Sequence, residues 1–280
     1  MIRCNYHMHS RFSDGSSEPF EYVESAIRRN FQGIGFSEHA PLPFSNKFAL
    51  RDEMVNNYTE TISALKQEYL GHLEIYTGME IDYIPGFSED FVSMKKNWNL
   101  DFVIGSVHLV VNHEADGLWF IDGPATQIYD DGLNILFQGD IQQAVGAYYR
   151  QLQQMIQKEE FDVIGHLDKV KMHNKNRYFK EEDPWYRKLL METLEEIRAT
   201  GCFVEVNTRG LYKKRSESPF PSYWIIREMN EMNIPILLSS DAHKPEEIDS
   251  CFDEVLDSLR EVGVRELLIF SGGSWELAGI

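Results

Sequence analysis

The stretch CNYHMHSRFSDGSSEPFEYVESAIRRN, residues 4–30, contains the unit from which the fold can be predicted. It begins with a short strand-like segment that ends at His7 and His9, and an amphipathic segment at helical spacing, residues 19–30, follows it. Side chains two positions apart in a strand point to the same face, so the two imidazoles are expected to converge on one point. A His-x-His pair alone is weak evidence for a metal site, because histidine has many structural uses. Two polar residues on an edge strand are the alternative.

The same order of strand and helix recurs along the chain. Short apolar runs rich in Val, Ile and Phe alternate with amphipathic stretches, and this alternation favours parallel βα units. The further runs are GIGFS (33–37), LEIYTGMEI (73–81), DFVIGSV (101–107), DVIGHL (162–167), CFVEVN (202–207), IPILLSS (234–240) and ELLIFSGG (266–273). Seven or eight such units in 280 residues fit one (β/α) barrel better than an open sheet.

Six of the nine histidines lie at or just beyond the end of one of these runs, and two acidic residues occupy matching places. These residues are His7, His9, His39, Glu80, His108, His166, Asp241 and His243. In a parallel barrel all strand C-termini open onto one face, where active sites gather. Eight nitrogen and oxygen ligands are therefore expected to face one bowl, which predicts a metal site. The other histidines, His72, His113 and His173, follow no such pattern and are expected on the surface or in loops.

The ligand types indicate the metal and the chemistry. Imidazole and carboxylate without thiolate suit Zn, Mn or Fe. Eight or nine candidate ligands exceed what one ion uses while it keeps an open position, so we expect two or three divalent ions. Such clusters clamp an oxyanion and supply hydroxide at neutral pH, which is typical of a phosphoesterase or an amidohydrolase. The sequence contains no serine-nucleophile motif, no P-loop and no cysteine in a nucleophile context.

Cations are needed if phosphate is the substrate group. Arg209 lies just beyond the run at 202–207, and Asn207 lies on it, so both are candidates for phosphate binding. A salt bridge to a neighbouring Glu is the alternative for Arg209. Arg177 and Lys169, which follow the run at 162–167, are weaker candidates.

The composition argues against several partners. Asp and Glu number 45 against 27 Lys and Arg, which gives a formal net charge of −18. Such a surface repels nucleic acid and anionic membranes, and no stripe of Lys and Arg suggests a nuclease. The sequence shows no membrane span, no secretory signal and only three scattered cysteines. We therefore expect a cytoplasmic protein without a nucleic-acid or membrane partner, and nothing in the sequence marks an oligomer interface.

Residues 110–140, VVNHEADGLWFIDGPATQIYDDGLNILFQGD, interrupt the alternation of strand and helix. The segment is long, acidic and aromatic, and loops of this length in a compact domain tend to be lids or binding loops. Trp119, Phe120 and Ile121 in its middle need a surface to pack against. A binding loop over the active face is therefore the interpretation that we favour over an unstructured excursion.

Seven motifs, in this order, resemble the PHP (polymerase and histidinol phosphatase) superfamily. They are HMHSRFSDG (7–15), FSEHAPL (36–42), GMEIDY (78–83), IGSVH (104–108), VIGHLDK (163–169), EVNTRG (205–210) and LSSDAH (238–243). The likeness is greatest to the PHP-type histidinol phosphatases and covers nearly the whole chain. It implies that residues 1–280 form a single distorted (β/α)7 barrel with a metal centre at the strand C-termini and an insertion at about 110–140 over the active site.

The resemblance also implies how the ligands are shared among three ions. The first ion would be held by His7, His9, Glu80 and Asp241. Glu80 would bridge to a second ion with His108 and His166, and His39 and His243 would hold the third. Many superfamily members carry a further histidine near position 14, and here Asp14 takes its place.

The reaction that the resemblance implies is hydrolysis of L-histidinol phosphate to L-histidinol and phosphate, in histidine biosynthesis. A metal-bridging hydroxide would attack phosphorus in line, and the candidate proton donors are Asp14, Asp241 and His243. The segment GLWFIDGP (117–124) would cover the substrate, with Trp119 and Asp122, and with Glu114 and Asp116, supplying an acidic and aromatic pocket. The alternatives are a PHP-family phosphoesterase for another small phosphate ester or for phosphotyrosine, and a non-catalytic scaffold stabilised by metal.

Overall fold

The structure, a computed structural model, describes residues 3–88 and 90–280. Its strands are β1 (Cys4–Asn5), β2 (Gly33–His39), β3 (Glu74–Asp82), β4 (Phe102–Ser106), β5 (Leu109–Asn112), β6 (Gly117–Phe120), β7 (Val163–Ile164), β8 (Phe203–Asn207), β9 (Ile236–Ser239), β10 (Glu266–Ser271) and β11 (Ser274–Gly279). Its α-helices are α1 (Pro19–Arg28), α2 (Val55–Glu68), α3 (Phe91–Asn97), α4 (Thr126–Phe137), α5 (Ile141–Lys158), α6 (Pro184–Thr200), α7 (Arg209–Tyr212), α8 (Tyr223–Glu231) and α9 (Phe252–Glu261).

Seven of the strands form a parallel sheet in the order β1-β2-β3-β4-β7-β8-β9, and at least one helix separates each strand from the next along the chain. Just beyond β1 and β9, backbone hydrogen bonds join the two edges of the sheet. His9 N donates to Ala242 O at 2.8 Å, and Ala242 N donates to His7 O at 3.2 Å. The sheet is therefore nearly closed, which confirms the predicted (β/α) barrel with seven parallel strands.

The strand register brings the predicted ligands to one end of the barrel. His39, the last residue of β2, pairs with Glu80 on β3, and Asn207, the last residue of β8, pairs with Ser239 on β9. Because all the strands run in the same direction, the chain leaves each of them at the same face. The turns that follow β1, β2, β8 and β9 consequently surround one opening.

The opposite end of the barrel is closed by an antiparallel hairpin of β10 and β11. Its Phe270 and Trp275 rings lie 4.9 Å apart, and Trp275 also packs at 5.5 Å against Tyr6 inside the barrel. The interpretation of the run at 266–273 as a further strand of the parallel series is therefore wrong. Gly272 and Gly273 have φ of 58° and 86°, and this conformation forms the two-residue turn that reverses the chain.

The segment at 110–140 is ordered, and it contains part of the β5–β6 hairpin and helix α4. Trp119 is fully buried: its indole packs 4.7 Å from the Tyr129 ring and 5.6 Å from the Phe137 ring, both on α4. Its Nε1 donates to Tyr129 O at 2.9 Å. The surface that Trp119 was expected to need is thus supplied by the segment itself, whereas Phe120 packs against Phe48 outside it. Across the described part of the chain, none of the helices has the length and apolar character that crossing a membrane requires.

Candidate metal centre

The turns after two of the barrel strands each hold one candidate ligand in an unusual backbone conformation. His166, two residues beyond β7, has φ of 24°, and Asp241, two residues beyond β9, has φ of 50°. Left-handed backbone is uncommon for residues other than glycine. Such strain persists where the surrounding structure enforces it, and it is frequent at functional sites.

Glu80 lies at the centre of the histidines, and its carboxylate is nearly inaccessible to solvent. The imidazole nitrogens nearest to it are His39 Nδ1 at 2.8 Å, His166 Nε2 at 3.0 Å, His7 Nε2 at 3.3 Å, His108 Nε2 at 3.5 Å and His9 Nε2 at 3.6 Å. Both carboxylate oxygens are used, because His108 and His166 face Oε1 and the other three face Oε2. Glu80 therefore has the position of a bridging ligand.

The predicted ligands form overlapping groups around Glu80. Three groups bring their ligand atoms within 4.8 Å of one another: His7, His9 and Asp241; His39, Glu80 and His108; and His9, Asp14, His39 and His243. His166 adjoins the second group, because its Nε2 lies 3.1 Å from His108 Nε2. All nine candidate ligands are thus brought together in the structure, including Asp14, whose Oδ1 lies 3.1 Å from His243 Nε2.

The unsatisfied atoms at this site fit divalent ions. His7 Nε2 and both ring nitrogens of His9 are buried without a hydrogen-bond partner. An unsatisfied buried polar atom costs about 1–3 kcal/mol, and several of them in one place are rare in folded proteins. Coordination would satisfy them, and imidazole with carboxylate is a donor set that Zn, Mn and Fe accept. The residues present therefore fit a metal centre.

The charge states of two ligands also suit coordination. Burial, together with the neighbouring His39 and His243, holds the pKa of His9 well below its usual value, so the ring is neutral. Burial acts to raise the pKa of Glu80, but the surrounding imidazoles of His7 and His39 dominate and hold it well below its usual value. Neutral imidazole and ionised carboxylate are the forms that bind metal.

A cavity of about 590 Å³ opens beside the ligands. Its charged and histidine lining consists of Asp14, His39, Lys47, His108, Asp122, Lys169, Arg209, Arg215, Asp241 and His243. The largely apolar remainder consists of Phe44, Asn46, Phe48, Leu109, Phe120, Gly123, Pro124 and Ile128. The cavity thus has a charged part next to the candidate ligands and an aromatic part formed by residues 44–48 and 120–128.

Two cations flank Asp241 in the charged part of the cavity. Arg209 Nη1 lies 2.7 Å from His243 Nδ1 and 3.7 Å from Asp241 Oδ1, and it donates to Asp241 O at 2.6 Å. Lys169 Nζ lies 3.7 Å from Asp241 Oδ2 and 3.5 Å from Asp122 Oδ2. Arg209 therefore does form an ion pair, with Asp241 rather than with the expected Glu, and Lys169 is a stronger candidate than the sequence indicated.

Two predicted phosphate or substrate contacts do not reach the cavity. Trp119 faces α4, because alternate residues of a strand point to opposite sides, and its neighbour Phe120 lines the cavity instead. Asn207 is fully buried below the cavity, where its Nδ2 donates to Glu205 Oε1 at 3.0 Å and to Asp241 Oδ2 at 3.3 Å. Its Oδ1 accepts from Arg209 N at 2.9 Å. Asn207 therefore holds Arg209 and Asp241 in position. The predictions that Asn207 contacts phosphate and that Trp119 contacts the substrate are wrong.

The remaining candidates fall into different environments. Asp122 lines the cavity, but Glu114 and Asp116 are exposed in the β5–β6 turn away from it. Arg177 forms a double hydrogen bond with Asp130, both at 2.8 Å, and does not line the cavity. His173, expected in a loop or on the surface, is buried, and its Nε2 lies 2.8 Å from Gly123 O, so it supports the segment that carries Asp122.

Glu205 on β8 is a functional residue that the sequence reasoning missed. It is fully buried, and its Oε2 lies 2.8 Å from His7 Nδ1 while its Oε1 accepts from His166 N at 2.7 Å. A carboxylate on the far nitrogen of a ligating imidazole fixes the ring orientation and raises its basicity. The signal was present as a single acid inside the apolar run CFVEVN.

Comparisons with known proteins agree with this geometry. The family model described as the PHP domain matches residues 5–209. A relative from Deinococcus radiodurans, named "Probable histidinol-phosphatase", is 28% identical over 267 residues and 94% of each chain. The histidinol-phosphatase of Bacillus subtilis is 27% identical over 272 residues, 92% of this chain and 99% of the relative. A solved structure of histidinol phosphate phosphatase from Lactococcus lactis, complexed with zinc, L-histidinol and phosphate, shares the fold with a TM-score of 0.68 and 24% identity over 98% of both chains.

Proposed function

The chain belongs to the PHP domain family, and on this premise we propose that it is a metal-dependent histidinol-phosphatase, which hydrolyses L-histidinol phosphate to L-histidinol and phosphate. The observation that carries the proposal is the convergence of six histidines, Glu80 and Asp241 beside a cavity that also contains two largely buried cations and an aromatic wall. The two relatives of this name match over more than nine-tenths of the chain, and they support the choice of substrate.

Two or three divalent ions complete the site in this proposal, with zinc, manganese or iron as candidates. The three groups of ligand atoms around Glu80 would hold them. When bound, the ions would polarise the phosphoryl oxygens and lower the pKa of a water molecule enough for it to attack phosphorus at neutral pH. The zinc reported in the Lactococcus lactis structure supports zinc as the first choice.

Arg209 and Lys169 are the residues that we assign to the phosphate. A guanidinium offers a planar fork to two phosphate oxygens, and an ammonium acts as a compact point charge. Both side chains are largely buried, at 13% and 4% exposure, so their charges are weakly screened by water. Since negative charge builds up on phosphoryl oxygens during transfer, pre-positioned cations lower the barrier.

Asp14 and His243 are assigned to the coordination of one ion, together with His9 and His39. Asp14 Oδ1 and His243 Nε2 lie 3.1 Å apart at the wall of the cavity. On the other side of the ring, Arg209 Nη1 lies 2.7 Å from Nδ1 and fixes the orientation of the imidazole. Asp241 is assigned to coordination with His7 and His9, because both Arg209 and Lys169 lie next to its carboxylate and favour its ionised form.

The leaving group of this reaction, L-histidinol, carries an ammonium and an imidazole ring. We assign the ammonium to Asp122 and the ring to the aromatic part of the cavity, where the Phe48 and Phe120 rings lie 5.7 Å apart. Burial acts to raise the pKa of Asp122, but His108 and Lys169 lower it below its usual value, so the carboxylate is ionised and can accept the ammonium. Substrate recognition would thus use residues from both sides of the cavity.

Phosphate release from L-histidinol phosphate tests the proposal. The protein is stripped of metal, resupplied with zinc, manganese or iron, and assayed in parallel on p-nitrophenyl phosphate and phosphotyrosine. We expect metal-dependent turnover with a much higher kcat/KM on L-histidinol phosphate than on the other two esters. Equal turnover on all three would retain a phosphoesterase but refute the substrate, and no turnover with metal bound would refute the enzyme.

A further inference from the structure

The turn that carries Asp14 is held by a carboxylate outside the ligand set. Ser10 N donates to Glu38 at 2.9 Å (Oε1) and 3.1 Å (Oε2), and Ser10 Oγ donates to Oε1 at 2.6 Å. Ser13 N donates to Oε2 at 3.2 Å, and Ser13 Oγ donates to the same oxygen. Both oxygens of Glu38 are therefore occupied by donors from the turn at residues 10–14.

Glu38 has no cationic partner that would explain its burial. Its side chain is fully inaccessible to solvent. Throughout residues 3–88 and 90–280, the ion pairs within 4.0 Å include none to Glu38. A buried carboxylate is expensive unless its hydrogen-bonding capacity is filled, so the turn and Glu38 depend on each other. A purely apolar residue at this position would leave Ser10 N and the hydroxyls of Ser10 and Ser13 without the acceptor that Glu38 provides.

Glu38 and His39, which are consecutive residues of β2, face the turn and the cavity respectively. Successive side chains of a strand point to opposite faces, so Glu38 faces the turn while His39 faces the cavity. The chain packs tightly on itself directly after this turn: a Cβ at Gly15 would lie 2.0 Å from the carbonyl oxygen of His9. Asp14 is the last residue of the turn. Its Oδ1 lies 3.7 Å from His39 Nε2 and 3.1 Å from His243 Nε2.

The geometry points to Glu38 as a positioning residue that fixes the turn at residues 10–14, so that Asp14 joins His9, His39 and His243 as a ligand of one ion. This inference rests on the metal centre of the proposed function. Aspartate has a short side chain with two torsions, so the position of its carboxylate follows the backbone closely. Carboxylate oxygens coordinate zinc at about 2.0–2.2 Å, and a displaced turn would take Asp14 out of this range.

Zinc binding by the full chain separates this role from a merely structural one. Zinc stoichiometry and affinity are measured by competition with a chromogenic chelator for the wild type, Glu38→Gln, Asp14→Asn and the double variant. We expect Glu38→Gln to weaken the zinc to which Asp14 contributes by ~10- to 100-fold, the range typical of residues that support ligands. The double variant is expected to lose no more affinity than Asp14→Asn alone, because both changes remove the same ligand.

Asp101→Asn is a control at another carboxylate that holds backbone, although unlike Glu38 it is part-exposed and also pairs with Lys66 Nζ. Its carboxylate accepts from Thr77 N at 2.6 Å at the start of β4, at the end of the barrel remote from the ligands. We expect this variant to lower the melting temperature without changing zinc affinity.

If Glu38→Gln does not fold, Ser13→Ala removes one of the turn donors instead. Its zinc affinity is then compared with those of Asp14→Asn and of the double variant Ser13→Ala with Asp14→Asn. An unchanged zinc affinity in Glu38→Gln or Ser13→Ala, or losses that add to that of Asp14→Asn, would overturn the inference. A wild-type chain that binds no zinc would instead refute the metal centre itself.

Discussion

Replacing Lys169 by Met tests the charged part of the cavity. Its ammonium is 4% exposed and lies 3.5 Å from Asp122 and 3.7 Å from Asp241. At an effective dielectric constant of about 20, Coulomb's law gives about 5 kcal/mol for the closer contact. Desolvation offsets part of it, and removal of one partner from a buried pair typically costs about 3–5 kcal/mol. We expect Lys169→Met to lower the free energy of unfolding by about 3 kcal/mol. This is the low end of the range, because Asp122 keeps 14% exposure and Asp241 also contacts Arg209.

The same substitution removes a cation that we assign to the phosphate. Loss of one pre-positioned contact to developing charge typically lowers kcat by ~10²- to 10³-fold. The measurements are urea unfolding of the zinc-loaded protein and steady-state release of phosphate from L-histidinol phosphate. The double variant with Asp122→Asn is expected to recover part of the unfolding free energy, since it removes the uncompensated carboxylate, but not the activity.

Lys171→Met is the control for this experiment. Lys171 is also buried, and its Nζ lies 2.7 Å from Asp168 Oδ2, but it does not line the cavity. We expect it to lose a comparable amount of stability while kcat/KM per folded molecule stays near that of the wild type. Equal losses of kcat/KM in the two lysine variants, or an unchanged kcat/KM in Lys169→Met, would refute the assignment of Lys169 to the phosphate.

Three further substitutions test the ligand support and the substrate contacts. Glu205→Gln should weaken zinc binding by ~10- to 100-fold in a chelator competition, because His7 Nδ1 loses the carboxylate 2.8 Å away; unchanged affinity would refute the supporting role. Asp122→Asn should raise the KM for L-histidinol phosphate by ~10-fold or more but leave that for p-nitrophenyl phosphate unchanged, since only the former carries an ammonium; an unaltered KM would exclude direct contact. Trp119→Phe should cost about 1 kcal/mol in unfolding free energy through the lost hydrogen bond to Tyr129 O, with no change in KM; a raised KM would return Trp119 to the substrate site.

The ligand set could be read from the sequence because it depends on local order and direction. A histidine that ends an apolar strand is placed at the strand's carboxyl end, and parallel strands bring all such ends to one face. For this reason His39, His108 and His166, which are far apart in the chain, could be expected to meet. The fold class followed from the same alternation of strands and helices, which is a local property.

Residues that act through a neighbour could not be recognised in this way. Glu205 lies within an apolar run and Glu38 lies directly after one, and nothing in the sequence shows that the first contacts His7 and the second holds a turn. Asn207 was expected to contact phosphate and instead contacts Asp241 and Glu205. Each role depends on which side chain lies opposite, and the sequence does not give that pairing.

The sequence alone determined the barrel, the face on which its chemistry lies and the types of ligand present there, because strand direction and side-chain chemistry are properties of short segments. Tertiary structure decided that Trp119 is covered by α4 while Phe120 faces the cavity, and that the run at 266–273 folds back as a hairpin across the barrel end. The physical reason is that a strand has two faces, and burial of one or the other is fixed by the elements that pack on it.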